Sequence, residues 1–166
     1  MKRPGANAIR AAILSAVVAV LSYLCGRNFT ALFHGASATV GGLWSLITST
    51  IVLQKTRHET LDSAWRRLFG TLTGAVLSGL YLSVMPFSLF GMGLCIGVTV
   101  LVGQVLGAPD HARLAAITVG IVMVTASVNP DMAPALDAAL RFTESVIGAA
   151  ITIIAVHVWP ESLPRR

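Results

Sequence analysis

Charged residues are scarce in this 166-residue chain, and most of its length has none at all. Aspartate, glutamate, lysine and arginine make up 11% of the residues, whereas soluble domains contain about 25%. None of the four occurs in the windows 11–26, 28–54, 68–109, 114–130 and 145–160. Since a transmembrane helix needs roughly 20 mostly apolar residues, the window 68–109 is long enough for two. The pattern excludes a soluble globular domain and predicts an all-α, polytopic membrane protein with six transmembrane helices.

Other features that are rare or missing exclude further classes of protein. The two cysteines, Cys25 and Cys95, both lie in apolar windows, so neither a disulfide framework nor a metal site is expected. The chain lacks the His-Glu-x-x-His, Gly-x-Ser-x-Gly, P-loop and Rossmann glycine patterns, which argues against an enzyme and against a bound cofactor. The net charge of +5 does not indicate nucleic acid, because the basic residues lie at the ends of the apolar windows.

The apolar windows predict a single transmembrane module over 1–166 with no soluble domain. We interpret the N-terminal apolar run as the first span, because no small-x-small site closes it as in a cleaved signal. The fifth span is expected to be short or broken, since Asn129-Pro130 follows it. Apolar residues at helical spacing within 54–67 predict a short amphipathic helix that leads into the third span. The six predicted spans are 8–25, 35–53, 68–85, 88–107, 114–129 and 139–159.

The distribution of basic residues predicts the orientation of the spans. Cytoplasmic loops of membrane proteins carry an excess of lysine and arginine. With six spans, Arg27 and Arg141 fall on one side, and Asp131 and Asp137 fall in a loop on that same side. Both termini are therefore predicted to be cytoplasmic, together with the other basic residues: Lys2, Arg3, Arg10, Lys55, Arg57, Arg66, Arg67, Arg113, Arg165 and Arg166.

Two short matches suggest an internal repeat. Arg67 precedes Gly74-Ala75, and Arg141 precedes Gly148-Ala149, at the same spacing. Three spans in each copy would make the second copy inverted in the membrane, as in many transporters. The alternative is chance similarity between two apolar segments. The sequence thus allows two interpretations: two inverted three-helix repeats, or chance similarity.

Arg141 and Glu144 are the sharpest candidates for a functional site. They lie three residues apart near the start of the sixth span and therefore share one helix face. Ionisable groups at membrane depth usually face protein or a water-filled cavity, which favours a gate or an anion contact. The alternative is an interfacial ion pair that stabilises the end of the helix. Arg67 is likewise either an anion contact or a cytoplasmic anchor.

The second span is the most polar of the apolar segments. Ser45, Thr48 and Ser49 form one hydroxyl-bearing face, and Trp44 lies beside it. This face is expected either to line a path for an aromatic or carboxylated solute, or to bond back to its own helix carbonyls.

Glycines occur four residues apart in several spans, which allows close approach of helices. We expect them to form packing surfaces within the bundle or between subunits. The pairs concerned include Gly70 with Gly74 and Gly93 with Gly97.

Three segments together resemble a known family. They read Gly-Leu-Trp-Ser-Leu-Ile-Thr-Ser-Thr-Ile-Val-Leu-Gln over 42–54, Arg-Leu-Phe-Gly-Thr-Leu-Thr-Gly over 67–74, and Arg-Phe-Thr-Glu-Ser-Val-Ile-Gly over 141–148. With the closing Trp159-Pro160, they resemble the membrane module of the fusaric acid resistance and aromatic acid exporter families, over roughly 8–160. The plant aluminium-activated malate transporters, which are dimeric anion channels, are distantly similar.

The resemblance implies a multi-pass permease in the bacterial inner membrane that exports aromatic carboxylic acids or related small organic anions, using the proton gradient. It implies substrate contacts from Arg67, Arg141, Glu144, Trp44, Thr48 and Gln54, and helix packing at Gly70, Thr71, Gly74 and Gly148. Many members join two modules or add a cytoplasmic domain, so a single module is expected to form a homodimer or a larger homo-oligomer. The alternatives are a passive anion channel of the same architecture and a small membrane scaffold.

Overall fold

The computed structural model describes residues 6–158, and their regular elements are all helical. The predicted all-α, polytopic class is confirmed, because five helices are long and apolar enough to cross a membrane. The fourth helix, with 17 residues, is shorter. Lys2, Arg3, Trp159-Pro160, Arg165 and Arg166 lie outside the described residues. A short 3-10 turn, Gly35–Ser37, precedes the second of the six helices, which are α1 (Ala6–Ala31), α2 (Ala38–Val52), α3 (Arg57–Val84), α4 (Leu89–Val105), α5 (Pro109–Val128) and α6 (Pro134–Val158).

Several helices extend beyond the predicted span ends. The expected short helix within 54–67 is the beginning of α3, which continues without a break to Val84. The fifth span is an unbroken helix of 20 residues rather than a short or broken one. α6 begins at Pro134, so Asp137 lies in its first turn and not in a loop. The predictions ended each span near a charge, but a helix continues through charged residues when their side chains are paired or reach towards water.

Local sequence signals explain where the helices begin and end. Thr56 and Glu59 form a capping box at the start of α3, in which each side chain accepts the other residue's backbone N–H at 3.2 Å. Ser88 caps α4 by accepting the N–H of Gly91 at 3.0 Å. Gly107 follows α4 at a φ of +68°, a conformation that glycine adopts without strain, and so allows the tight turn into α5.

The described chain divides into two compact units. Unit 1 comprises residues up to Ala64 together with those from Val146 onwards, and unit 2 comprises Trp65–Ser145. In unit 1, α1 packs along α2, and the end of α6 contacts α2 as well. In unit 2, α4 packs along α5, and α3 contacts α5. A single domain was expected from the sequence, and the two units are both helical.

One close backbone contact occurs in the same form within each unit. In unit 2, a Cβ atom on Gly74 of α3 would lie closer than 3.0 Å to the carbonyl oxygen of Ala115 on α5. In unit 1, a Cβ atom on Gly148 of α6 would lie equally close to the carbonyl oxygen of Ser45 on α2. The third helix of each predicted repeat therefore packs on the second helix of the other. Matching contacts of this kind are what an inverted repeat requires, and the repeat remains a prediction.

Candidate functional site

Four charged side chains between residues 8 and 158 are completely buried, and all of them belong to unit 2. Two are guanidinium groups, on Arg67 and Arg141, and two are carboxyl groups, on Asp137 and Glu144. Such groups are costly to bury within a membrane and mark functional positions by default. The sequence identified three of the four. These side chains are the candidate site.

Arg141 is held between two carboxylates on its own helix. Its Nε lies 3.1 Å from Oδ1 of Asp137, one turn before it, and its Nη1 lies 2.8 Å from Oε2 of Glu144, three residues after it. The i,i+3 and i,i+4 spacings place all three side chains on one face of α6. The structure therefore brings the predicted pair together. It adds Asp137, which the sequence analysis missed because it assigned this residue to a loop, although the i,i+4 spacing to Arg141 was a usable signal.

A threonine from α5 contacts the ion cluster, which is formed by Asp137, Arg141 and Glu144. The hydroxyl of Thr125 donates a hydrogen bond to Oδ2 of Asp137 at 2.5 Å. Asp137 thus uses one carboxylate oxygen for Arg141 and the other for Thr125. Since charge-assisted hydrogen bonds are stronger than neutral ones, this pairing fixes the Asp137 rotamer and, through it, the direction of the Arg141 guanidinium.

The buried hydroxyls of Thr71 and Ser145 connect α3 to α6 within unit 2. Ser145 Oγ donates to Thr71 Oγ1 at 3.5 Å, a long contact. Further along, a Cβ atom on Gly79 of α3 would lie 3.2 Å from the Cβ of Ala138 on α6. A later residue of α3 thus contacts an earlier residue of α6, which shows that the two helices run antiparallel.

This antiparallel arrangement determines where the two buried arginines lie. Arg67 precedes Thr71 by one turn on α3, and Arg141 precedes Ser145 by one turn on α6. Because the helices run in opposite directions, the two arginines are on opposite sides of the hydroxyl contact along the bundle axis. The two buried guanidinium groups therefore lie at different depths along the bundle axis.

The residues predicted to line a path on the second span lie in unit 1 and are packed. Trp44 and Thr48 are buried. The same helix face is covered by α6, where the Thr152 hydroxyl lies 3.4 Å from the carbonyl oxygen of Ser49. Gln54 follows α2, is exposed, and donates from Nε2 to the carbonyl of Ile51 at 2.9 Å.

The candidate packing glycines divide into two groups. A Cβ atom on Gly70 would lie 2.6 Å from the Cβ of Leu114, and Gly74 and Gly148 make the close backbone contacts described above. In contrast, a Cβ atom on Gly93 or Gly97 would meet no atom of the described chain within 4 Å. Within this part of the chain, the α4 pair therefore brings no other helix close.

Comparison with known proteins gives one result. The sequence model of the family described as fusaric acid resistance protein-like matches residues 29–155, which is most of the chain. The matched segment contains all four buried charged side chains. No curated protein and no solved structure matches the chain.

Proposed function

Because this chain belongs to the fusaric acid resistance protein-like family, for which membrane transport or resistance is the expected role, we propose that it exports small organic anions. Aromatic carboxylic acids are the proposed substrates, and a bacterial inner membrane with both chain termini in the cytoplasm is the proposed location. We further propose that it acts as a homodimer or a larger homo-oligomer. The observation that supports an anion as substrate is the buried Arg141, with its two carboxylate partners, in a bundle of mostly apolar helices.

The ion cluster suggests how a carboxylate is bound and released. Arginine binds carboxylates with several donors in a fixed geometry, and Arg141 already forms ion pairs with Asp137 and Glu144. A substrate carboxylate can take the place of one of them only if that carboxylate gives up its charge or moves away. Glu144 is the better candidate for exchange, because Asp137 is also held by Thr125.

Proton coupling follows from this competition. When Glu144 takes up a proton from water, its attraction for Arg141 falls and the guanidinium can bind the substrate anion. When the anion leaves, Glu144 loses the proton and pairs with Arg141 again. The other charged groups buried in unit 2 are Asp137, on the same helix face, and Arg67, on α3. Because the proton and the anion bind and leave together, a pH gradient drives the acid towards the more alkaline side, and it drives export when that side is outside.

The test is the flux of a panel of benzoate-like acids from proteoliposomes, with and without an imposed pH gradient. Wild-type protein is expected to show gradient-driven flux. Glu144→Gln is expected to abolish the response to the gradient while retaining exchange of labelled for unlabelled acid, because the guanidinium is still present. The matched control is Asp131→Asn, which makes the same change of a carboxylate to an amide at an exposed position outside the ion cluster.

Other outcomes would contradict the proposal in distinct ways. If the acid never accumulates beyond its electrochemical equilibrium, whatever pH gradient is imposed, the protein is a passive anion channel. No flux for any acid, with a partner protein purifying at a fixed ratio, would indicate a membrane scaffold. A Glu144→Gln variant that still responds fully to the pH gradient would remove Glu144 from the coupling mechanism.

A further inference from the structure

An apolar groove runs along α4 and α5 in unit 2, and no step described so far uses it. Its volume is about 770 Å³, within the range of roughly 300–1,000 Å³ for small-molecule sites. One wall is a stripe of α4 residues four apart, which ends at Gln104. The opposite wall is α5, and Gly120 lies midway along it. The α4 residues of the stripe are Met92, Ile96, Val100 and Gln104.

The groove has a polar end beside the α4–α5 turn. Gln104, Pro109 and Arg113 line it there, and Arg113 is exposed. Nearby Asp110 is already paired with Arg66 of α3, at 3.3 Å. Among the residues that the structure describes, none forms a salt bridge with Arg113. A guanidinium at the end of an apolar groove is complementary to a molecule with an apolar body and one anionic group.

The other end of the groove reaches the buried ion cluster. Thr125 lines the groove there, and its hydroxyl donates a hydrogen bond to Asp137, the partner of Arg141. From Met92 to Gln104, the stripe covers 12 residues, or about 18 Å of helix. This length is more than half of a hydrocarbon core about 30 Å thick. The groove therefore extends from an interfacial arginine to the edge of the cluster that contains the buried one.

We infer that this groove is a binding site for an amphiphilic aromatic carboxylate, with the carboxylate on Arg113 and the ring between Ile96, Val100 and Ile117. The inference rests on the proposed function and adds to it the access route of the substrate. The acid binds first at Arg113, on the side that the charge distribution predicts to be cytoplasmic. It then moves along the apolar walls towards Thr125, so that more apolar acids bind more tightly.

The position of Gly120 allows a sharp test. A Cβ atom there would meet only Ile96 Cδ1, at 3.9 Å, which is ordinary contact. Gly120→Ala therefore leaves the groove open, whereas Gly120→Phe fills it. Binding of radiolabelled 2-naphthoate to the purified full chain in detergent is the measurement. We expect Gly120→Phe to weaken binding at least about tenfold, and Gly120→Ala to bind within about twofold of wild type.

Arg113→Gln tests the polar end independently. Loss of a charge-assisted hydrogen bond is expected to weaken 2-naphthoate binding about tenfold. Binding of the uncharged 2-naphthamide should be unchanged by the same substitution, because it has no carboxylate. Added salt should weaken wild-type binding of the acid more than that of the variant, since the site is exposed.

The outcomes separate this inference from the proposed function. If Gly120→Phe and Gly120→Ala bind 2-naphthoate equally, or if wild type does not bind it, the groove is not the site and the inference fails, whatever the flux. If wild type binds but transports no acid into proteoliposomes, the groove stands and the transporter proposal fails. If phosphatidylglycerol co-purifies only when the groove is open and 2-naphthoate does not displace it, the groove holds a lipid and the inference is overturned.

Discussion

The Arg141→Ala variant is expected to lose about 3–5 kcal/mol of stability, because it leaves Asp137 and Glu144 as buried carboxylates without their cation. The measurement is the thermal unfolding midpoint of the detergent-purified protein, together with the yield of monodisperse material. An unchanged midpoint would contradict the pairing described for this cluster.

A matched variant separates stability from function. Replacing Asp137, Arg141 and Glu144 together by Asn, Gln and Gln removes all charge and keeps a polar side chain at each position. This variant should be more stable than Arg141→Ala, because it leaves no buried carboxylate without a cation and its amides can hydrogen-bond to one another. It should nevertheless show no gradient-driven flux of aromatic acids, because the anion contact and the proposed proton carrier are both gone. A triple variant that still exports acid against a gradient would contradict the placement of the substrate site.

Replacing either Gly74 or Gly148 by alanine is expected to destabilise the protein, although alanine is the better helix former. At each position the new methyl group would approach a backbone carbonyl, of Ala115 or Ser45, more closely than real side chains do. Helix backbones cannot yield as a flexible side chain can, so the helices must move apart. Overpacking of this kind costs about 1–3 kcal/mol, which thermal unfolding in detergent measures directly.

The same substitution on α4 supplies the control. A Cβ atom on Gly93 or Gly97 would meet nothing in the described chain within 4 Å. Alanine there should be neutral, or stabilising by up to about 1 kcal/mol through helix propensity alone. The opposite result, in which the α4 variants are destabilised and the Gly74 and Gly148 variants keep their stability, would contradict these packing contacts. A loss of oligomers in the α4 variants would instead indicate that this face contacts a second subunit.

Much of the fold could be predicted from composition alone. The five uncharged windows predicted six helices, and each of the six is present near its predicted position. The prediction succeeds because a helix satisfies its backbone hydrogen bonds internally, so its insertion in lipid depends mainly on the length of the local apolar segment. The helix ends were less predictable, since α3 and α6 each begin within charged sequence.

The candidate site could be predicted only in part. Arg141 and Glu144 were identified because their spacing guarantees a shared face on any helix. Asp137 was missed, because its burial depends on α6 starting at Pro134 and on Thr125 reaching it from α5. The groove, with Gly120 on one wall and Val100 on the other, could not be predicted either: the short turn at Gly107 predicts that α4 and α5 pack together, but not which side chains leave a space between them.

The sequence by itself determined that the chain is a helical membrane protein and singled out Arg67, Arg141 and Glu144 among its charges, because lipid imposes the same requirement on every span independently. Only the tertiary structure decided that Asp137 and Thr125 complete the Arg141 cluster. It also decided that Gly74 and Gly148 make equivalent contacts in different units, and that α4 and α5 enclose a groove. These features depend on which helices pack together, and that choice is made by side chains distant in sequence that meet only after each helix has formed.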